Sequence, residues 1–134
     1  MKVALDTNVL VSAVATRGLC ADVLQVILAE HELVLGETVL RELRRVLRQK
    51  IRMSAAMTDE VEAFLRRHAV IVAEAPPLRL RLRDRTDLPV LAEAVAGDAE
   101  VLVTGDRDLH ETPAGMPLPI LTPREFWERL RTAT

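Results

Sequence analysis

The order of apolar patterns along the chain predicts an α/β fold, a three-layer α/β/α sandwich built on a central, mainly parallel sheet. Three observations carry this. Val3-Ala4-Leu5, Leu33-Val34-Leu35, Val70-Ile71-Val72 and Val101-Leu102-Val103 are short apolar runs. They lack the polar alternation of a strand with one wet face, so they read as strands covered on both sides. Several of the stretches between them repeat apolar residues every three or four positions, as helices do. Strands that alternate with helices pair in parallel through right-handed crossovers.

The first strand stops at Asp6. Thr7 and Asn8 are helix-capping types, and Val9-Leu10-Val11 resumes the apolar pattern of a first helix. Taken alone, Asp6 reads equally as a cap and as an active-site acid at a strand tip, where open parallel sheets bind ligands. Leu19 to Glu30 is a second helix, with Leu19, Val23, Val26 and Ile27 on one stripe. Gly36 stops the second strand, and Thr38 is a candidate cap for a third helix running to about Ile51. Its stripe is Val39, Leu40, Leu43, Val46 and Leu47, with Arg41, Arg44, Arg45, Arg48 and Arg52 on the other side and Glu42 flanking the stripe.

Ser54 and Thr58-Asp59 offer caps for a fourth helix to about His68, with Val61, Phe64 and Leu65 inward. Pro76-Pro77 forces an irregular segment, and Arg79, Arg81, Arg83 and Arg85 give the next piece one basic face. Asp87 opens a helix that tolerates Pro89 in its first turn and stops at Gly97. After Val101 to Val103 comes a polar turn, Thr104-Gly105-Asp106-Arg107-Asp108. Pro119-Ile120-Leu121 is a short last strand. Thr122 caps a last helix that has Pro123 at its first position and Phe126, Trp127 and Leu130 inward.

At 134 residues the chain is expected to form one domain spanning 1–134. No apolar run approaches the ~20 residues that span a bilayer, and the amino terminus lacks a signal-peptide layout, so a cytoplasmic protein with no membrane contact is expected. The single cysteine, Cys20, excludes an internal disulfide and a thiolate zinc cluster. Its apolar neighbours mark it as a structural thiol. A net charge of −2 argues against a general nucleic-acid coat, although sixteen arginines to two lysines would suit phosphate contacts. With no tyrosine, one Trp and two Phe, base-stacking platforms are not expected.

Asp6, Glu42, Asp87 and Asp106 all fall at element ends that a parallel sheet can bring together, with Asp108 as a possible fifth. Close carboxylate pairs repel by about 1–4 kcal/mol, depending on the local dielectric. A hard divalent cation would compensate them, and carboxylates suit Mg²⁺ or Mn²⁺. Such a cation can activate water and neutralise the charge developing on an attacked phosphate. The strand ends offer no Ser-His or Cys-His pair, and the isolated glycines make no phosphate loop.

Val3-Ala4-Leu5-Asp6-Thr7-Asn8-Val9-Leu10, Arg85-Thr86-Asp87-Leu88-Pro89-Val90-Leu91-Ala92 and Val101-Leu102-Val103-Thr104-Gly105-Asp106-Arg107-Asp108-Leu109 resemble the opening, middle and closing motifs of the PIN domain. This is the nuclease module of many toxin–antitoxin toxins of the VapC type, and the resemblance spans essentially the whole chain. It implies a PIN-like, Rossmann-like fold and a metal-dependent endoribonuclease that hydrolyses RNA phosphodiester bonds. It implies Asp6, Glu42, Asp87 and Asp106 as metal-site acids, with Thr104 and Asn8 organising the site. It also implies RNA as substrate, a cognate antitoxin protein as partner and a homodimer. Thr86 stands where the middle motif is commonly acidic, so Asp84 competes with Asp87, whose place at a helix start fits better.

Two other functions remain open in the sequence. A non-catalytic PIN-like interaction module would keep the fold without the chemistry. A phosphoacceptor signalling domain would need a lysine near the end of the last strand, and the two lysines, Lys2 and Lys50, lie elsewhere in the chain.

Overall fold

The computed structural model describes residues 1–79, 87–105 and 116–132. Within them are five strands: β1 (Lys2–Leu5), β2 (Glu32–Gly36), β3 (Ala69–Val72), β4 (Val101–Val103) and β5 (Ile120–Leu121). They form one sheet in the order β3-β2-β1-β4-β5, and every pairing is parallel. Six helices accompany it: α1 (Thr7–Ala15), α2 (Leu19–Glu30), α3 (Glu37–Gln49), α4 (Ala55–His68), α5 (Asp87–Ala96) and α6 (Pro123–Thr132). No single helix among the described residues is long and apolar enough to cross a membrane.

The topology follows from the handedness of the crossovers. The pair α1–α2 carries the chain from β1 to β2, and α3–α4 carries it from β2 to β3. The connection through α5 then reverses direction, past β2 and β1, to reach β4. Right-handed crossovers in opposite directions lie on opposite faces, which gives the three layers. The glycines record how closely α5 sits: a Cβ on Gly97 would lie 2.5 Å from Val34 Cγ1 and 2.9 Å from Val72 Cγ2. The reversal falls between β1 and β4, so the crevice beyond their carboxyl ends is the topological switch point.

Apolar runs that read as doubly covered strands are so. Val3, Leu5, Leu33, Leu35, Val101, Leu102 and Val103 are all buried. The edge strand is the exception, with Val70 exposed. On α3 the stripe Val39, Leu40, Leu43 and Leu47 is buried, while the far face is spent on α4. Arg44 reaches Asp59 at 2.6 Å and Glu62 at 3.3 Å. Arg66 reaches Glu37 at 2.7 Å and Glu62 at 2.9 Å.

The expected caps were met in part. Asp6 caps α1, one of the two readings it carried, and the helix begins at Thr7. Helix α3 begins one residue before Thr38, with Gly36 as the cap and no side-chain cap bond. Ser54 caps α4, accepting from Met57 N at 3.1 Å. Thr58 lies inside that helix, buried, with its hydroxyl donating to Ser54 O at 2.9 Å. Phe64 does not face inward: it is 42% exposed and packs its ring beside His68 at 4.5 Å. Thr122 caps α6 reciprocally, Thr122 N donating to Glu125 Oε1 at 2.9 Å and Glu125 N to Thr122 Oγ1 at 3.0 Å. Cys20 is half-buried against the core, as its neighbours suggested.

Candidate active site

Asp6 is held at the switch point by both neighbours of its own strand tip. Its backbone N–H extends the β1–β4 ladder, donating to Val103 O at 3.0 Å. Its side chain divides its oxygens: Oδ1 accepts from Thr7 N at 2.7 Å, and Oδ2 accepts from the Thr104 hydroxyl at 2.8 Å. Asp6 is 9% exposed and Thr104 fully buried. The cap reading of Asp6 holds, and it leaves the second oxygen at the strand tip. One oxygen caps α1, and the other accepts from Thr104, the residue that follows β4.

Asp6 opens onto a cleft of about 520 Å³. Glu42 from α3 and Asp87 from the first turn of α5 line the same cleft, together with Thr7, Asn8, Arg45 and Lys50. Three carboxylates from three separate elements therefore share one hollow, 36 and 81 residues from Asp6 along the chain. Glu42 is half exposed and accepts from Arg45 Nη2 at 3.0 Å. The Thr7 hydroxyl is buried at the cleft without a hydrogen-bond partner among the described residues. Asn8 lies beside the turn after β4: a Cβ on Gly105 would meet its Nδ2 at 3.9 Å.

A second acid ties the cleft walls together. Glu93 of α5 is buried, and its carboxylate accepts from the Thr38 N–H at 3.1 Å and from the Thr38 hydroxyl at 2.9 Å. An anion at the amino end of α3 is favoured by the free N–H groups there and by the helix dipole. Asp87 lies six positions before Glu93 on α5, and Glu42 four positions after Thr38 on α3. The latch therefore fixes two acid-bearing helices relative to each other.

The structure brings together Asp6, Asn8, Glu42, Asp87 and Thr104 of the expected residues. Asp106, Asp108 and the competitor Asp84 lie outside the described residues. Among the described residues, no three acids, histidines or cysteines stand close enough to form a ready-made metal site. The donor chemistry nonetheless fits a hard cation, because the cleft offers carboxylates and, among the described residues, no His or Cys lines it. The orphaned Thr7 hydroxyl adds an oxygen that a bound water or ligand would satisfy.

Sequence reading missed Thr7, Arg45, Lys50 and Glu93. Lys50 was read only as lying away from the end of the last strand, and it lines the cleft from the end of α3. It does not follow the last strand, so the signalling-domain alternative gains nothing from it. The signal that could have found Arg45 and Lys50 was helical phase, since they lie three and eight positions beyond Glu42. Glu93 gave no local signal, because its partner is 55 residues away.

A family model described as PIN domain matches residues 2–108. No curated protein matches the chain in sequence. Among solved structures, the chain is similar to one of VapBC2 from Rickettsia felis, solved bound to a DNA fragment from their promoter. That match has a TM-score of 0.61 and 18% identity, and covers 91% of this chain and 98% of that one. It is also similar to a chain of FitAcB from Neisseria gonorrhoeae, with a TM-score of 0.55, 14% identity and the same two coverages. At such identities the structural likeness speaks for the fold, a parallel α/β sandwich. The sequence model covers most of the chain and includes Asp6, Glu42, Asp87, Thr104 and Asp106, and by it the chain belongs to the PIN domain family.

Proposed function

We propose that the chain is an endoribonuclease dependent on Mg²⁺ or Mn²⁺, and that it is the toxin of a toxin–antitoxin pair restrained by a cognate antitoxin. The observation that carries the nuclease reading is the convergence of Asp6, Glu42 and Asp87 on one cleft, with Asp6 gripped by Thr104. Family membership and the VapBC2 likeness support the toxin reading.

A divalent cation bound there would lower the pKa of a water and offset charge on the phosphate under attack. The chain's own residues prepare the place. Thr104 and the Thr7 N–H fix the Asp6 carboxylate in one orientation, so little reorganisation accompanies binding. Glu42 and Asp87 bring the remaining negative charge from the facing wall, which the Glu93–Thr38 latch holds in register. Asp106 completes the set in this reading. Arg45 and Lys50 supply the positive charge that an RNA backbone requires beside so many carboxylates.

The test is cleavage of total RNA with Mn²⁺, with EDTA, and by Asp6→Asn. Cleavage that needs Mn²⁺ and vanishes in the variant supports the proposal. Cleavage that persists in EDTA or in the variant removes it.

A further inference from the structure

We propose that Arg45 exchanges partners during the reaction cycle. It holds Glu42 in the ion pair seen here, and when a divalent cation takes Glu42 it turns to a phosphate of the substrate strand, with Lys50 as a second phosphate contact. The inference rests on the nuclease reading above and names the residues that meet the substrate backbone.

Geometry sets Arg45 apart from the other anchored arginines of its helix. Arg44 is tied to Asp59 and Glu62 of α4, and Arg48 donates to Met53 O at 2.8 Å. Both brace the fold. Arg45 is paired at 3.0 Å with Glu42, a candidate cation ligand, and both side chains line the acid cleft. The pair is one turn of one helix, with both partners 48% exposed. Exposed pairs of this kind are held weakly and break readily. A doubly charged cation shared with Asp6 and Asp87 competes for the same Glu42 oxygens. Released, Arg45 faces a cleft in which three carboxylates would repel an incoming phosphate. Its planar fork suits that phosphate better than it suits one helical neighbour. Lys50, five residues on at the cap of α3, points a second cation into the same hollow.

The coupling has a direct consequence: cation binding and backbone binding assist each other, because each frees the partner the other needs. The test uses the whole chain and two binding readouts. Mn²⁺ affinity is measured by calorimetry. Binding of a single-stranded 2′-O-methyl oligonucleotide is followed by fluorescence anisotropy, with Mn²⁺ and with EDTA. Arg45→Gln should bind Mn²⁺ about two- to fivefold more tightly, since a competitor for Glu42 is gone. The same variant should bind the oligonucleotide roughly tenfold more weakly when Mn²⁺ is present, and be less affected in EDTA. Lys50→Gln should weaken the oligonucleotide and change Mn²⁺ affinity less.

The gain in Mn²⁺ affinity should disappear when Arg45→Gln is made in a Glu42→Gln background. A gain that persists there is long-range charge alone and overturns the exchange. An Arg45→Gln variant with unchanged affinities overturns it as well. A wild type that binds no Mn²⁺ removes the nuclease reading, and this inference with it. Normal Mn²⁺ binding combined with an inert Arg45 removes only the inference.

Discussion

Replacing Gly36 by alanine should unfasten the cleft from a distance, and the structure says by how much. Gly36 has φ −90° and ψ 162°, which any residue adopts. In an open site the change would stabilise by about 0.4–1 kcal/mol through the unfolded chain. Here the new Cβ would stand 2.5 Å from Glu93 Cβ and against the Glu93 carboxylate itself. The carboxylate could swing aside, but a Cβ moves only with its helix. Relaxing to ordinary carbon contact needs a shift of α5 by about 1 Å. Overpacking of this kind costs about 1–3 kcal/mol, and losing charge-assisted bonds to Thr38 costs about 1.5–3 kcal/mol more. The sum is roughly 2.5–6 kcal/mol, or about 10–25 °C in melting temperature for a domain of this size. Differential scanning calorimetry reads the stability, and Mn²⁺ titration reads the site. Affinity should fall together with stability, because α5 carries Asp87. A Gly36→Ala protein that melts at or above the wild type would refute the close approach of Glu93 and with it the latch.

Asp6→Asn keeps an acceptor for Thr7 N and places an amide where the Thr104 hydroxyl can turn to accept. It should raise metal-free stability by about 0.5–1 kcal/mol as carboxylate repulsion is relieved, while RNA cleavage falls by orders of magnitude. Thermal melts in EDTA beside an RNase assay check both halves. Mn²⁺ at a hundredfold excess over its dissociation constant should stabilise the wild type by about 2.7 kcal/mol and Asp6→Asn much less. The Arg66 guanidinium, hydrogen-bonded to Glu37, holds that carboxyl below its ordinary value of 4.5. A depressed carboxylate contributes its stability in full above that ordinary value and loses it as pH falls through the native one. Glu37→Gln should therefore be less stable than the wild type at pH 7, with the gap closing under acid, as urea midpoints at pH 7 and pH 3 would record. Arg52 sits in the left-handed region with φ 61°. Arg52→Gly should stabilise by about 0.5–1 kcal/mol and Arg52→Ala should not, so equal melting of the two would exclude strain there.

What could be read from sequence was whatever depends on neighbours along the chain. Val3 to Leu5 and Val101 to Val103 announce doubly covered strands because both faces are apolar, and the stripe of α3 is visible at 100° per residue. Asp6, Glu42 and Asp87 were legible as element-end acids, and the resemblance to PIN motifs added Thr104 and Asn8. What failed depends on three-dimensional neighbours. Phe64 and Leu65 look equally apolar, but only Leu65 meets the core. Thr38 has the residue type of a cap, yet its bonds go to Glu93 instead. Gly36 read as a stop signal, while the structure shows it as space reserved for a side chain from another helix.

The grip on Asp6 also has a direction in time. The hydroxyl that orients it belongs to Thr104, 98 residues later, and β4, which flanks β1 opposite β2, spans Val101–Val103. Synthesis proceeds from the amino terminus at about 5–20 residues per second. The acid at the tip of β1 is thus among the first residues made and among the last to be set. A nascent chain holding β1, β2 and β3 has its sheet open on the β4 side, and Asp6 Oδ2 has yet to meet the Thr104 hydroxyl that orients it. The order of the strands therefore postpones the setting of this carboxylate until β4 has joined the sheet.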